Sequence, residues 1–211
     1  MEQPTPLPAY SIRTARLLLR CYEPTDAAEL LTETAANREH LAPWLPWARE
    51  EQTLEEKVDL VRMFRGNFDL GTEFVYGAFE PGTGTLVGGG GLHPRAGPNG
   101  LEIGYWIVER RVRQGLATEM AAALVRVGFE VMKTGYIEIR CDPANTVSHR
   151  IPEKLGFQHE GRLRGRIPWP GDTMRDAEVY SLLSSEYEGS PAADFAIEAF
   201  DVLNRPLIGG A

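Results

Sequence analysis

Leu101-Glu102-Ile103-Gly104-Tyr105-Trp106-Ile107-Val108, followed by Arg110-Arg111-Val112-Arg113-Gln114-Gly115-Leu116-Ala117-Thr118, is the stretch on which the reading of this chain turns. The first run is apolar on both faces and is entered from the turn-forming Gly97-Pro98-Asn99-Gly100, so it predicts a central strand. The second leads into a helix with Ala117, Met120, Ala121, Leu124, Gly128 and Val131 on its inner face, ending near Gly135. Tyr136-Ile137-Glu138-Ile139-Arg140-Cys141 then returns as a strand, and a strand, helix, strand order predicts a right-handed parallel crossover. At the turn into the helix the first backbone N–H groups have no helical acceptor, and the helix dipole favours an anion there. Gly115 lets a phosphate come close to the backbone. The turn has neither the Gly-Lys-Ser/Thr of a nucleotide-triphosphate loop nor a G-x-G-x-x-G dinucleotide fingerprint. Taken alone, it reads equally well as an ordinary helix start beside solvated arginines.

Working outward, Arg16-Leu17-Leu18-Leu19-Arg20-Cys21 is too short for a helix and predicts a first strand. Asp26 with Glu29 opens a helix running to Asn37. Leu41-Ala42-Pro43-Trp44-Leu45-Pro46-Trp47 is a loop, because its prolines bar a long helix. Thr53-Leu54-Glu55-Glu56 is a capping box, and Leu54, Val58, Val61, Phe64 and Phe68 follow at helical spacing to about Asp69. Thr72 to Phe79 and Thr85 to His93 flank Pro81-Gly82-Thr83-Gly84 as a hairpin. Gly88-Gly89-Gly90-Gly91 lies inside that pattern without a following Lys or Ser/Thr, so close backbone approach is favoured over phosphate binding. A short helix is expected from Thr146 to Leu155, tightened by Pro152, then two closing strands, Gly156 to Leu163 and Asp176 to Leu183. The division expected is a loose proline-rich arm (1–13), one domain (14–185) and a helical C-terminal extension (186–211), whose spare apolar residues cover the domain or a second subunit in a homodimer.

Composition sets bounds on function. Of 211 residues, 43% are apolar and 25% charged, which excludes disorder as the main state. Lys and Arg total 22 against 30 Asp and Glu, a formal charge of −8, the wrong sign for nucleic-acid binding as the main activity. Cys21 and Cys141 form no C-x-x-C pair and the four histidines have no metal spacing, so no metal is expected. No leader or membrane-spanning run is evident, which points to a cytoplasmic protein with no membrane partner.

Several blocks together resemble the GNAT N-acyltransferases, and within them the RimJ/RimL-type branch. They are Thr14-Ala15-Arg16-Leu17-Leu18-Leu19-Arg20, the Leu41 to Trp47 segment, Glu102-Ile103-Gly104-Tyr105-Trp106, Arg113-Gln114-Gly115-Leu116-Ala117-Thr118-Glu119, Asn145 with Ser148, Glu153-Lys154-Leu155-Gly156-Phe157 and Glu160-Gly161 before Leu163-Arg164. The resemblance covers roughly Thr14 to Leu183. It implies a mixed α/β fold: a splayed, mostly antiparallel sheet with helices on both faces. It also implies transfer of an acyl group, acetyl first, from acetyl-CoA to a primary amine by direct attack.

Under that resemblance the pyrophosphate rests on Arg113, Gln114, Gly115, Leu116, Ala117 and Thr118. The pantetheine lies in a gap opened by a bulge in the central strand, where N–H groups near Ile107 and Val108 hold the oxyanion. Glu102 is the first candidate for proton acceptor; the plainer reading is a strand-end carboxylate paired with arginine. Ser148 is the candidate donor to the thiolate and Asn145 a pantetheine ligand, although both residue types also cap helices. Glu102 and Trp169 are placed in the acceptor cleft, which Trp44 and Trp47 either line as well or leave free by stapling their loop to the core. Val112 stands where the family often has Gln or Arg, and Pro152 threatens to displace Ser148. The usual helix also lacks the tyrosine acid of other branches. The amine is a protein N-terminus in this branch, while an amino acid, polyamine or antibiotic, a succinyl donor, or a silent acyl-CoA sensor are the alternatives.

Overall fold

Leu18-Leu19-Arg20-Cys21 becomes an inner strand of a single sheet in the computed structural model, which describes residues 8–209. In chain order the strands are β1 (Ser11–Arg13), β2 (Leu18–Cys21), β3 (Phe74–Phe79), β4 (Leu86–Gly97), β5 (Gly100–Ile107), β6 (Tyr136–Cys141), β7 (Gln158–Trp169), β8 (Thr173–Leu183), β9 (Glu198–Phe200) and β10 (Pro206–Ile208). The helices are α1 (Ala27–Ala36), α2 (Arg38–Leu41), α3 (Leu54–Asp69), α4 (Leu116–Arg126), α5 (Thr146–Lys154) and α6 (Ser184–Tyr187). Across the sheet the order is β10-β9-β1-β2-β3-β4-β5-β6-β8-β7. Neighbours are antiparallel except β5 and β6, the pair joined through α4. This is the mixed, mostly antiparallel α/β architecture expected.

The glycine run shows why helices pack on both faces. A Cβ on Gly89 would sit 2.6 Å from the Tyr22 hydroxyl and 2.8 Å from Trp106 Nε1. On Gly90 it would sit 2.7 Å from Met120 Sδ of α4. Adjacent strand residues face opposite ways, so α4 covers one face while Tyr22, Trp106, α1 and α3 build the other. The run is structural, as its lack of phosphate-loop chemistry suggests.

Three expectations are corrected. The extension after residue 186 is not a helix: β9 and β10 prolong the sheet beyond β1. Its apolar residues Phe195, Ile197 and Ala199 recur every second position, the period of a strand. Ser11–Arg13, assigned to the loose arm, pairs with both β2 and β9; residues 1–7 of that arm lie outside the described residues. The closing strands run out to Trp169 and Thr173, so the expected loop shrinks to a turn around Gly171 and Asp172, both with positive φ. The long helix after Gly115 is α-helical to Arg126 and continues as a π-helical segment, Val127–Val131. Among the described residues no helix is long and apolar enough to cross a membrane.

On α3 the capping box forms as expected: Thr53 N–H donates to Glu56 at 2.7 Å, and its hydroxyl accepts from Glu56 N–H at 3.2 Å. The inward stripe differs from the expected one. Leu54 is exposed, whereas Lys57 is buried with Val61 and Phe68. Its ammonium lies 5.9 Å from the Trp47 ring, and burial lowers its pKa. Among the described residues no carboxylate pairs with it. Burial penalises the charged form, so Lys57→Met should stabilise the fold at neutral pH by about 1 kcal/mol. The gain should shrink as pH rises through the folded-state pKa toward the ordinary lysine range. Thermal melts of both proteins across that range check this; a variant that melts lower at pH 7 contradicts it.

Candidate active site

The central opening is a consequence of strand pairing. β5 and β6 run in register from Gly100–Tyr136 to Ile103–Ile139, after which Arg140 and Cys141 pair only with β8. β5 stays on β4, its register unbroken from His93–Glu102 to Gly88–Ile107. The gap therefore comes from divergence of two parallel strands, not from a bulge; the register shift between β4 and β5 lies at the far end, between His93 and Gly97. Val108 N–H donates to Val87 C=O at 3.0 Å. Because alternate residues of an antiparallel strand donate to the same neighbour, Trp106 and Val108 point to β4, whereas Tyr105 and Ile107 point into the gap. Of the two N–H groups expected there, only that of Ile107 faces it.

Past the end of β5 the chain enters the turn that opens α4. Arg113 (φ 62°) and Gly115 (φ 83°) both adopt left-handed backbone, and Gly115 caps the helix with no side-chain bond. The N–H groups of Leu116, Ala117 and Thr118 therefore have neither a helical acceptor nor a side-chain cap. Two arginines near the turn are committed elsewhere: Arg110 Nη1 lies 2.5 Å from Glu33, and Arg111 pairs with Glu80. Arg113 and Gln114 remain exposed. What the turn offers an anion is mainly backbone.

On the α4 face of the gap, Ser148 Oγ lies 3.0 Å from the Tyr105 hydroxyl and 3.4 Å from Cys141 Sγ. Asn145 caps α5, accepting Ser148 N–H at 3.2 Å, which fixes the serine at the first turn. Pro152 does not displace it. α5 runs through the proline, whose missing N–H leaves the Ser148 carbonyl without its helical donor; the Tyr105 hydroxyl stands 3.4 Å from that oxygen. Burial raises the Tyr105 pKa well above its ordinary value, so the hydroxyl keeps its proton. Tyr105 was not among the expected site residues. Its signals were its odd-numbered place on the strand, opposite in facing to Glu102, and a helix proline four residues after Ser148.

Glu102 occupies the other face, one residue before the strands part. Arg95 Nη2 lies 2.7 Å from its Oε1 and Arg140 Nε 3.6 Å from its Oε2, the arginine-paired arrangement. Trp44 and Trp47 separate. Trp44 lines an open cleft of about 590 Å³ with Asp142, Arg162, Met174 and Arg175. Trp169 joins that neighbourhood, with the Arg175 guanidinium 3.5 Å over its ring, while Arg175 also donates to the Pro43 carbonyl and Asp142. Trp47 packs edge-on against Trp106 at 6.0 Å and staples its loop to the core.

A family model described as an acetyltransferase (GNAT) domain matches residues 16–158, and the chain belongs to that family. More particularly, it is 28% identical over 179 residues to a candidate ribosomal N-acetyltransferase, YdaF, of Bacillus subtilis (strain 168), covering 82% of this chain and 94% of that one. It is 26% identical over 187 residues to the ribosomal protein uS5-alanine N-acetyltransferase of Escherichia coli (strain K12), covering 86% and 94%. A GNAT-family acetyltransferase structure from Bacillus anthracis matches with a TM-score of 0.71 at 28% identity, over 83% of this chain and 99% of that chain. Mycobacterium smegmatis RimJ in complex with CoA-disulfide shares the fold, with a TM-score of 0.74 at 22% identity over 89% and 92%. The chain is thus an N-acetyltransferase of the GNAT family.

Burial pushes the Cys141 thiol up to about 11 and the Cys21 thiol up to about 12. At pH 8 neither should react with iodoacetamide while the protein is folded, and both should react in denaturant. Mass spectrometry of the two samples checks this; alkylation of folded Cys141 at the rate of a free thiol contradicts it.

Proposed function

We propose that this protein moves an acetyl group from acetyl-CoA to the amine of a protein N-terminus, by direct attack in a ternary complex. The observation that carries the reading is the alignment of the diverging β5–β6 gap with the bare N–H groups that open α4. A diphosphate fits those donors, because Gly115 has no side chain to stand between it and the backbone. Acetyl-CoA supplies the activated thioester that the amine attacks. Arg113 to Thr118 bind its diphosphate, and the Ile107 N–H donates to the carbonyl oxygen as negative charge builds there. Asn145 holds the pantetheine or the neighbouring backbone. The Ser148 hydroxyl, bonded to the Tyr105 hydroxyl that burial keeps protonated, donates to the departing thiolate, and the proton shed by the attacking amine returns through this pair, so that CoA leaves as the thiol and both hydroxyls end protonated.

The amine approaches from the Glu102 face, since Ser148 and Tyr105 occupy the other. An acceptor longer than a single small molecule suits the open Trp44 cleft, which Asp142, Asp176, Arg162 and Arg175 line with charge of both signs. The names of the B. subtilis and E. coli relatives, which refer to ribosomal substrates, support the same class. The test is a screen of N-terminal peptides against amino acids, polyamines and aminoglycosides, with acetyl-CoA and succinyl-CoA, reading thiol release. Peptides with acetyl-CoA should give the highest turnover; a preference for a small amine overturns the acceptor assignment.

Desulfo-CoA should raise the melting temperature, while NAD and ATP leave it unchanged. Ser148→Ala should lower kcat roughly 100-fold and Tyr105→Phe roughly tenfold, with desulfo-CoA affinity retained. Glu102→Gln should keep kcat within about threefold and lower the melting temperature, because Arg95 and Arg140 lose a shared carboxylate; a loss of about 100-fold with an altered pH profile instead marks Glu102 as the proton acceptor.

A further inference from the structure

Arg16 lies in the turn between β1 and β2, about a hundred positions from the Arg113–Thr118 turn, yet its guanidinium touches that turn on both sides. Nη1 donates to the Gln114 carbonyl at 2.7 Å. Nε donates to Glu119 Oε2 at 2.7 Å, and Nη2 lies 2.5 Å from the same oxygen. The other carboxylate oxygen accepts the Thr14 hydroxyl at 2.6 Å and the Arg16 backbone N–H at 2.9 Å. Glu119 is buried in the first turn of α4, so four donors converge on a carboxylate that has little solvent.

The geometry has a consequence for the backbone. In a trans peptide the C=O of one residue and the N–H of the next point in opposite directions. With the Gln114 carbonyl drawn onto Arg16, the Gly115 N–H is turned away from the guanidinium. Arg113 is a non-glycine residue in left-handed backbone, which persists only where its surroundings hold it. The Gln114 bond is such a hold. A lysine cannot reproduce a planar fork bonded to two groups.

We propose that Arg16, braced by Glu119, is a positioning residue that aims the N–H groups of the turn and so sets affinity for the diphosphate half of the acyl donor. This rests on the reading above that the turn seats that diphosphate. Calorimetry of the unmodified protein with desulfo-CoA tests the seat itself, and no binding there overturns that reading whatever Arg16 does. Given binding, R16K, R16M and E119Q should each weaken desulfo-CoA about tenfold or more and raise the KM for acetyl-CoA while kcat holds. Acetyl-pantetheine, which lacks the diphosphate, should be used as well by the variants as by the parent. R16K and E119Q keep part of the bond set, so they carry the test where R16M fails to fold. Unchanged desulfo-CoA affinity in the folded variants overturns the proposal. So do equal losses with both donors, the mark of a merely structural role.

Discussion

Two parallel strands that share only four residue pairs impose the organisation of this molecule. β5 and β6 are bonded from Gly100–Tyr136 to Ile103–Ile139 and then take different neighbours, β5 remaining with β4 and β6 with β8. Backbone groups lining a parting of this kind have no strand to satisfy them, and leaving them dry and unpaired is costly. A ligand that enters the gap can take those bonds without breaking any. The β-α-β connection through α4 then brings the open start of a helix near the same end of β5. Donors for an oxyanion and donors for a diphosphate thus arise from one topological event.

Side-chain alternation divides the opening into two chemically different faces. Glu102 sits among guanidiniums on one, whereas Tyr105, Ser148 and Cys141 cluster on the other. Pro152 is part of that second arrangement. A proline inside a helix ordinarily leaves an orphan carbonyl, and here that carbonyl belongs to Ser148 and lies within reach of the Tyr105 hydroxyl. The feature that looks like a defect in α5 is what ties the short helix to the central strand at the residue proposed to handle the leaving group.

Much of this was legible in the sequence because it rests on local signals. The capping box at Thr53, the glycine before α4, and the alternation of β5 and β6 each mark an element without help from distant residues. The tail carries enough apolar residues to suggest a helix, but Phe195, Ile197 and Ala199 keep a period of two, the spacing of a strand. The position of the gap follows from the family resemblance and not from a local signal, and its cause follows from neither: strand divergence depends on which partner each edge chooses, and no local motif encodes that choice. The same holds for Tyr105 and Lys57. One acquires its interest only when α5 packs beside β5, and the other only when α3 turns a lysine inward beneath Trp47.

How closely α4 approaches the sheet decides where its first turn falls. A Cβ on Gly90 would lie 2.7 Å from Met120 Sδ and 3.2 Å from Leu124 Cδ1, so no other residue fits there without moving the helix or its side chains. The missing side chain at Gly90 leaves the room that Met120 and Leu124 fill, and close-packed interiors transmit even a methyl-sized change. Lifting α4 would carry Leu116, Ala117 and Thr118 away from the gap and pull Glu119 from Arg16. Gly90, in a run without phosphate-loop chemistry, is therefore a spacer for the group of residues proposed to seat the diphosphate.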